Sequence, residues 1–175
     1  MVVYGDGGPE PYRFWWTLRT VTGFNVRVLD GGLQAWKAAG HHVAGGDGLE
    51  VAAGDVSIGD VASPEAPSEH WADVSSFMDA NPGVKLVDTR SDAEFTGAEL
   101  HPKAKKAGRI PGASHLDWAE VLRDKHGDHR LKSPSALRDL FDAHELDRGT
   151  PVVTYCQSGT RSAACLLYTS DAADE

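Results

Sequence analysis

One cysteine near the end of the chain stands where a predicted strand meets a short polar loop. The apolar run Val152–Tyr155 predicts the strand, and Cys156 follows it at the carboxyl end, where open α/β sheets bind ligands. The residues between Cys156 and a helix predicted from Ser162 are Gln157, Ser158, Gly159, Thr160 and Arg161. So short a loop before a helix directs several backbone N–H groups at one point, which forms an anion-binding site.

An anion-binding loop of this kind favours the charged form of a thiol. Thiols at such positions have pKa values of about 3.5–7.5, because the N–H groups and the helix stabilise the thiolate. Gly159 allows the backbone angles of a tight loop, and Arg161 adds a permanent positive charge beside the sulfur. The alternative is a small cysteine that only packs at a strand end. The polar residues after Cys156 favour the reactive thiolate.

The elements that must position this loop alternate between strands and helices. Short apolar runs predict strands at 2–4, 26–29, 84–88 and 152–155. Spacing and composition predict helices around 14–21, 33–39, 71–80, 116–122 and 133–144, the last with Ser133 as its N-cap. This alternation predicts the α/β class, with a mostly parallel sheet flanked by helices.

Two segments of the chain repeat the same strand-loop-helix pattern. VVYGD at 2–6 matches VVTYC at 152–156, so Asp6 takes the place of Cys156. Each segment runs into a glycine-containing loop and then into a predicted helix. We therefore predict a duplicated α/β unit in which the first copy is unreactive and supports the second.

Four segments, in their order along the chain, resemble the rhodanese-type sulfurtransferases that have two domains. They are VLDGGLQAW at 28–36, VDTR at 87–90 with Glu94 and Phe95, AGRIPGA at 107–113, and CQSGTR at 156–161. In the third segment Arg109 replaces the usual histidine of the family's GHIPGA signature. The resemblance implies tandem rhodanese-like domains, with parallel sheets flanked by helices, in which the second domain is catalytic.

The resemblance also implies domain boundaries. Residues 1–44 correspond to the rear part of an inactive first domain, and 45–69 to a linker. Residues 70–164 correspond to a catalytic domain without its C-terminal end, so both domains are expected to be incomplete. An alternative is that the two parts complete each other, as in a domain swap. The last residues, 165–175, resemble a translated sequencing adapter, and Cys165 is then expected to be foreign to the native protein.

The family resemblance implies a two-step transfer of sulfur through Cys156. Its thiolate takes a sulfur from thiosulfate or 3-mercaptopyruvate, and the persulfide passes it to cyanide or a thiol. Donor binding is assigned to 157–161, with Arg161 on the anionic end of the donor. Arg90 either assists or orients the loop, and Asp88 is expected to anchor its turn. No metal or organic cofactor is implied, and a single arginine in the loop favours thiosulfate.

Two other interpretations of the loop remain open. A rhodanese-like module could bind an anion, or carry sulfur to a partner protein, without turnover. A thiolate phosphatase or arsenate reductase is disfavoured, because phosphatases place about five residues between cysteine and arginine. This chain has only the residues 157–160 there, and the smaller ring suits a sulfur-sized group better than a phosphate.

Composition narrows the classes of partner. The 26 acidic residues outnumber the 17 basic ones, and the net charge of −9 argues against nucleic acid, whose phosphates would be repelled. No apolar run reaches the roughly 18 residues of a membrane helix, and no signal peptide is visible. We expect a cytoplasmic protein, monomeric at full length, whose ligands are a small anionic sulfur donor and a thiol or cyanide acceptor.

Metal binding is not expected either. The 2 cysteines cannot form a disulfide framework or a four-thiolate site. The paired histidines His41 and His42, and His126 and His129, lack cysteine partners at zinc spacing and are predicted to be solvated.

Overall fold

The computed structural model describes residues 1–46, 74–124, 127, 129–147 and 149–171, the side chains of 168–171 excepted. Most of the predicted linker, and the start of the helix predicted at 71–80, lie outside the described residues. The predicted domain boundaries therefore stay a prediction.

Short strands and helices alternate along the chain, as the sequence predicts. The strands are β1 (Val2–Val3), β2 (Arg27–Val28), β3 (Lys85–Asp88), β4 (Ser114–His115) and β5 (Val152–Tyr155). The helices are α1 (Glu10–Thr22), α2 (Gly32–Ala38), α3 (Val74–Ala80), α4 (Asp92–Thr96), α5 (Pro134–Ala143) and α6 (Thr160–Asp171), with a 3-10 helix at Trp118–Val121. β4 and α4 have no counterpart in the sequence prediction. β4 lacks the apolar run that marks the other strands, and the 5 residues of α4 are too few to show a helical period.

All described strand pairs are parallel, in two sheets. β1 pairs with β2, and the second sheet has the order β4-β3-β5. In the second sheet β3 is central, and its last residue, Asp88, is in register with Tyr155 at the end of β5. The carboxyl end of β5 thereby meets the carboxyl end of β3, which places Cys156 beside the turn after Asp88. The predicted α/β class with parallel sheets is confirmed.

The ends of α1 follow from its sequence. Pro9 occupies the N-cap position and a second proline lies in the first turn, where the missing N–H groups would have no helical partner. Gly23 ends the helix in the left-handed conformation, with a φ of 66°, and its N–H donates to the Arg19 carbonyl at 3.0 Å.

The second unit, from α3 onward, has a core between the three-stranded sheet and the elements beside it. Its buried residues are Val87, Leu116, Val121, Leu122, Leu137, Phe141 and Leu146. Leu137 and Phe141 lie four residues apart on α5, so both face this core. The predicted N-cap of α5 is confirmed, because the Ser133 hydroxyl accepts a hydrogen bond from the Ala136 N–H.

A further core joins the first unit, formed by the elements from β1 to α2, to the second. It packs α1 and the β1–β2 sheet against α6 through Val3, Tyr12, Trp15, Val26, Ala163, Ala164 and Leu167. The Trp15 indole N–H donates to the Val26 carbonyl at 3.0 Å, which satisfies the polar end of the buried ring. Cys165 is also buried in α6, and the foreign origin predicted for the segment it begins stays a prediction.

The described helices are all too short or too polar to span a bilayer. The expectation of a cytoplasmic location stays a prediction.

Candidate active site

The Cys156 thiol lies at the junction of β5 and α6, as the sequence predicts. The loop turns through Gly159 in the left-handed conformation, with a φ of 83°, and α6 begins at Thr160. The Gly159 N–H donates to Cys156 Sγ at 3.1 Å, and the Ser162 hydroxyl oxygen lies 3.8 Å from the same sulfur. The sulfur is half-buried against the start of a helix, which is the environment that favours a thiolate.

The hydrogen bonds around Sγ lower the pKa of the Cys156 thiol below its ordinary value. Burial opposes this by raising the pKa, since a charged sulfur loses hydration. The backbone N–H groups of Ser162, Ser158 and Gly159, and the Ser162 hydroxyl, outweigh burial because they all donate to the charged form. The predicted convergence of backbone donors on the sulfur is confirmed.

Arg161 extends from the first turn of α6 to a buried carboxylate. Its Nη1 donates to Glu94 Oε2 at 2.5 Å and its Nη2 to Oε1 at 3.1 Å, which is a bidentate pair. Hydrogen bonding from Arg161 lowers the pKa of Glu94 from its ordinary value of 4.5 to about 2. Arg161 also interacts with Cys156, and both partners raise the pKa of its guanidinium. Arg161 thus connects the loop to α4 and lies beside the sulfur.

Glu94 is held in place for this pair by the start of α4. It occupies the third position after Ser91, whose hydroxyl accepts from the Glu94 N–H at 3.3 Å while the carboxylate accepts from the Ser91 N–H at 3.3 Å. This reciprocal capping box fixes both the helix start and the carboxylate. The VDTR segment, with its following glutamate, therefore leads from β3 to the partner of Arg161.

Arg90 is held by Asp88 and by the backbone of the AGRIPGA segment. Its Nε donates to Asp88 Oδ1 at 2.9 Å, and its Nη2 to Asp88 Oδ2 at 2.5 Å and to the Gly108 carbonyl at 2.9 Å. The guanidinium lies 5.8 Å from the centroid of the Tyr155 ring. Burial would raise the pKa of Asp88, but hydrogen bonds from Arg90 lower it overall. Asp88 anchors the Arg90 turn as expected. The two roles predicted for Arg90, assisting the chemistry or orienting the loop, stay predictions.

The AGRIPGA segment contacts Tyr155, the last residue of β5 before Cys156. The Ile110 N–H donates to the Tyr155 hydroxyl at 3.2 Å. Burial raises the pKa of Tyr155 to about 12, so the phenol stays protonated at neutral pH. Arg109, at the position where the family has histidine, lies 4.4 Å from the centroid of the Phe95 ring and is exposed.

The structure brings the predicted loop residues together around Cys156. Gln157 is half-buried, and the hydroxyls of Ser158 and Thr160 bond to each other at 3.1 Å on the rim. The donor-binding roles assigned to Gln157, Ser158, Gly159, Thr160, Arg161 and Arg90 stay predictions.

Sequence reasoning missed two residues that lie at the loop. The sequence predicts Ser162 only as the start of a helix, yet the residue lies six positions after the cysteine, in the first turn of α6, with its hydroxyl near the sulfur. Arg13, in α1, was not considered, yet its guanidinium approaches Gly159 from the first unit. The repeat alone could have suggested that α1 and α6 pack together, but not which side chain reaches the loop.

The described residues contain no group of three histidine, cysteine, aspartate or glutamate side chains placed to hold a metal ion. His41 packs its ring on Trp36 with centroids 4.4 Å apart, and His126 lies outside the described residues.

A family profile described as "Rhodanese-like domain" matches residues 1–39 and 71–173. The chain belongs to this family. Its two matched stretches include both copies of the strand-loop-helix repeat and the Cys156 loop. The rhodanese fold that the resemblance implied is therefore confirmed.

Curated relatives of this rhodanese-like chain carry sulfurtransferase names. A putative thiosulfate sulfurtransferase of Mycobacterium tuberculosis is 33% identical over 93% of this chain and 55% of its own length. A probable 3-mercaptopyruvate sulfurtransferase of Pseudomonas aeruginosa is 36% identical over 91% of this chain and 54% of its own length. The chain thus spans about half the length of these relatives.

Two solved structures superpose on most of the chain. The 3-mercaptopyruvate sulfurtransferase SseA of Escherichia coli has a TM-score of 0.71 at 25% identity, covering 95% of this chain and 60% of SseA. EanB, in a persulfide form with ergothioneine, has a TM-score of 0.78 at 22% identity, covering 95% of this chain and 44% of EanB. The second likeness concerns the fold alone.

Proposed function

We propose that this chain carries the reacting centre of a sulfurtransferase, with Cys156 as the nucleophile and thiosulfate or 3-mercaptopyruvate as the sulfur donor. The observation that carries the proposal is the cradle around Sγ, in which backbone N–H groups at the start of α6 lower the pKa of the thiol. Family membership and the names of the relatives support the same reaction class.

The proposed first step moves one sulfur atom to Cys156. With thiosulfate, the thiolate attacks the outer sulfur, the sulfur–sulfur bond of the donor breaks, and sulfite leaves with the bonding electron pair. With 3-mercaptopyruvate the carbon–sulfur bond breaks, and the pyruvate enolate that leaves takes up a proton. Either donor leaves a persulfide on Cys156.

The proposed second step returns the cysteine to its starting form. Cyanide or a thiolate attacks the terminal sulfur of the persulfide, the new sulfur–sulfur bond breaks, and the Cys156 thiolate is released. Backbone N–H groups aimed at Sγ stabilise its negative charge at the beginning and end of the cycle. Because these donors are part of the loop backbone, they need no rearrangement between the steps.

The geometry supports sulfur transfer over phosphate-ester hydrolysis. In a thiolate phosphatase the loop arginine must offer both of its forked N–H groups to the phosphate. Here both terminal nitrogens of Arg161 donate to Glu94, and only four residues separate it from Cys156. A module that carries sulfur without turnover shares the first step of our proposal and differs only in the second.

The test is an intact-mass measurement after incubation with thiosulfate or 3-mercaptopyruvate, followed by addition of cyanide. We expect the parent and Cys165→Ser to gain one sulfur and to lose it again with formation of thiocyanate, and Cys156→Ser to gain nothing. Cys165 is the matched control, because it is a second thiol, within α6, and is only 2% exposed. A folded parent that gains no sulfur from either donor would refute the proposal. A persulfide that cyanide does not discharge would instead support the carrier module.

A further inference from the structure

Helix α1 carries an arginine to the edge of the Cys156 loop. The shared core packs α1 against α6, and the loop enters α6 at its first turn. A β-carbon at Gly159 would collide with Nη1 of Arg13, so the guanidinium lies directly against the loop backbone. Gly159 therefore has two reasons to lack a side chain, its φ of 83° and this contact.

Among the described residues, the charge of Arg13 is not compensated by a buried carboxylate as the charges of Arg90 and Arg161 are. Arg161 and Arg90 are each paired with a buried carboxylate. Within the described part of the chain, no carboxylate forms an ion pair with Arg13, and the residue is exposed. Its guanidinium lies over Trp16, 5.0 Å from the ring centroid.

We propose that Arg13 binds the anionic group of the sulfur donor that does not transfer. In thiosulfate this group is the sulfonate that leaves as sulfite, and in 3-mercaptopyruvate it is the carboxylate. The stack on Trp16 restricts the guanidinium before the donor arrives, so binding orders it at a lower entropic cost. The first unit, which has no cysteine in its own loop, thereby contributes a binding residue to the second. This inference rests on the proposed function.

The first test separates donor affinity from the chemical step. We expect Arg13→Gln to raise KM for both donors about fivefold, with little change in kcat. A fivefold loss of affinity is the upper end of what one exposed ion pair contributes. Arg13→Lys keeps the charge but not the forked geometry, and we expect it to recover about half of this loss on a logarithmic scale. The control is Arg19→Gln. Arg19 lies on the same helix and over the ring of Trp15, and its replacement changes the net charge by the same amount as Arg13→Gln.

The second test works without sulfur transfer. Iodoacetate and iodoacetamide alkylate the same thiolate, but only iodoacetate is an anion. We expect the rate ratio of iodoacetate to iodoacetamide at Cys156 to fall about threefold in Arg13→Gln and to stay unchanged in Arg19→Gln. Circular dichroism of each variant confirms that the fold is intact, and Arg13→Lys serves if the glutamine variant does not fold.

The outcomes distinguish this inference from the proposed function. In one outcome the parent forms no persulfide while Arg13→Gln still lowers the iodoacetate-to-iodoacetamide rate ratio. That result overturns the sulfurtransferase proposal but keeps Arg13 as an anion-binding residue. A parent that turns over, with KM and alkylation ratio unchanged in Arg13→Gln, overturns the role of Arg13 alone. A similar loss in Arg19→Gln also overturns it, because the effect would then come from net charge.

Discussion

The two strand-loop-helix copies share their layout and differ in the hydrogen-bond donors of the loop. α1 and α6 each begin four residues after the aligned position, which is Asp6 in one copy and Cys156 in the other. Three residues after that position the second copy has Gly159, whose N–H donates to Sγ at 3.1 Å. The first copy has Pro9, which has no N–H to donate.

Backbone conformation separates the copies at the same point. The φ of Gly159 is 83°, whereas that of Pro9 is −81°, so the two loops approach their helices along different paths. Further into the helix, Tyr12 replaces Ser162 and is buried in the shared core. The difference teaches that the loop of one copy offers a backbone N–H donor to the sulfur, while the same elements in the other copy serve packing.

The largest effect should follow from giving the second loop the residue of the first. Gly159→Pro removes a donor to Sγ and cannot adopt the positive φ. We expect the pKa of Cys156 to rise and the rate of persulfide formation to fall by about 100-fold or more, as when one donor to a reacting charge is lost. The pH dependence of alkylation by iodoacetamide measures the pKa of Cys156. Stopped-flow detection of released sulfite measures the rate of persulfide formation.

Gly159→Ala is the control for this change, since it keeps the N–H while straining φ and touching Arg13. An intermediate loss is expected. Equal losses in Gly159→Ala and Gly159→Pro would contradict the importance of the N–H donor.

The second effect concerns the Arg161–Glu94 pair, which has no equivalent in the first copy because Pro11 stands at the aligned position. Glu94→Gln leaves the Arg161 guanidinium without its carboxylate, and we expect a loss of about 2 kcal/mol in the free energy of unfolding. The pKa of Glu94 is lowered on folding, from 4.5 to about 2. The contribution of the ionised Glu94 to the free energy of unfolding is therefore complete above pH ~4.5 and is lost as the pH falls towards 2.

Urea unfolding of the parent and Glu94→Gln at neutral pH and near pH 3 measures this linkage. The difference between the two proteins should shrink at the lower pH. Glu99→Gln, a change of the same charge at an exposed site, is the control and should show a small difference at both pH values. A Glu94→Gln difference that grows on acidification would contradict the assigned direction.

A smaller effect should follow from Ser162→Ala. The change removes the hydroxyl 3.8 Å from Sγ but keeps the backbone N–H, so we expect the pKa of Cys156 to rise and persulfide formation at neutral pH to slow by about threefold. Ser158→Ala is the matched control, because the Ser158 hydroxyl bonds to Thr160 on the rim. The two variants should differ in their alkylation pH profiles, and identical profiles would remove Ser162 from the cradle.

The smallest effect should come from restoring a cysteine to the first copy. Asp6→Cys, made together with Cys156→Ser, places a thiol at the aligned position but leaves Pro9 without an N–H. We expect no persulfide, and alkylation at the rate of an ordinary accessible thiol. A gain of sulfur by this double variant in the intact-mass assay would show that the position alone is sufficient and that the loop donors are not decisive.

Much of the second unit could be predicted from sequence, because its signals are local. The strand before Cys156, the turn at Gly159 and the N-cap at Ser133 each depend on residues a few positions apart. The turn anchored by Asp88 was likewise predictable, since Arg90 lies two residues away and its N–H donates to Asp88 Oδ1 at 3.0 Å. β4 was missed because its two residues are polar, and α4 because so short a helix shows no period.

The partners of Arg161 and Arg13 could not be predicted, because they are distant in the chain. Arg161 and Glu94 are separated by 67 positions, and only the β3–β5 pairing brings their loops side by side. Arg161 was expected to face the donor, and its bidentate pair with Glu94 shows that part of its charge is already used inside the protein. The approach of Arg13 to Gly159 likewise depends on α1 packing against α6.

The sequence by itself determined the family, the parallel α/β class, and the place and form of the Cys156 loop, because these depend on short motifs and on the order of strands and helices. Tertiary structure decided which charges are compensated and which side chain of the first unit reaches the Cys156 loop. Those properties depend on how helices from the two parts of the chain pack, and side-chain spacing along one segment carries no information about a neighbour supplied by another.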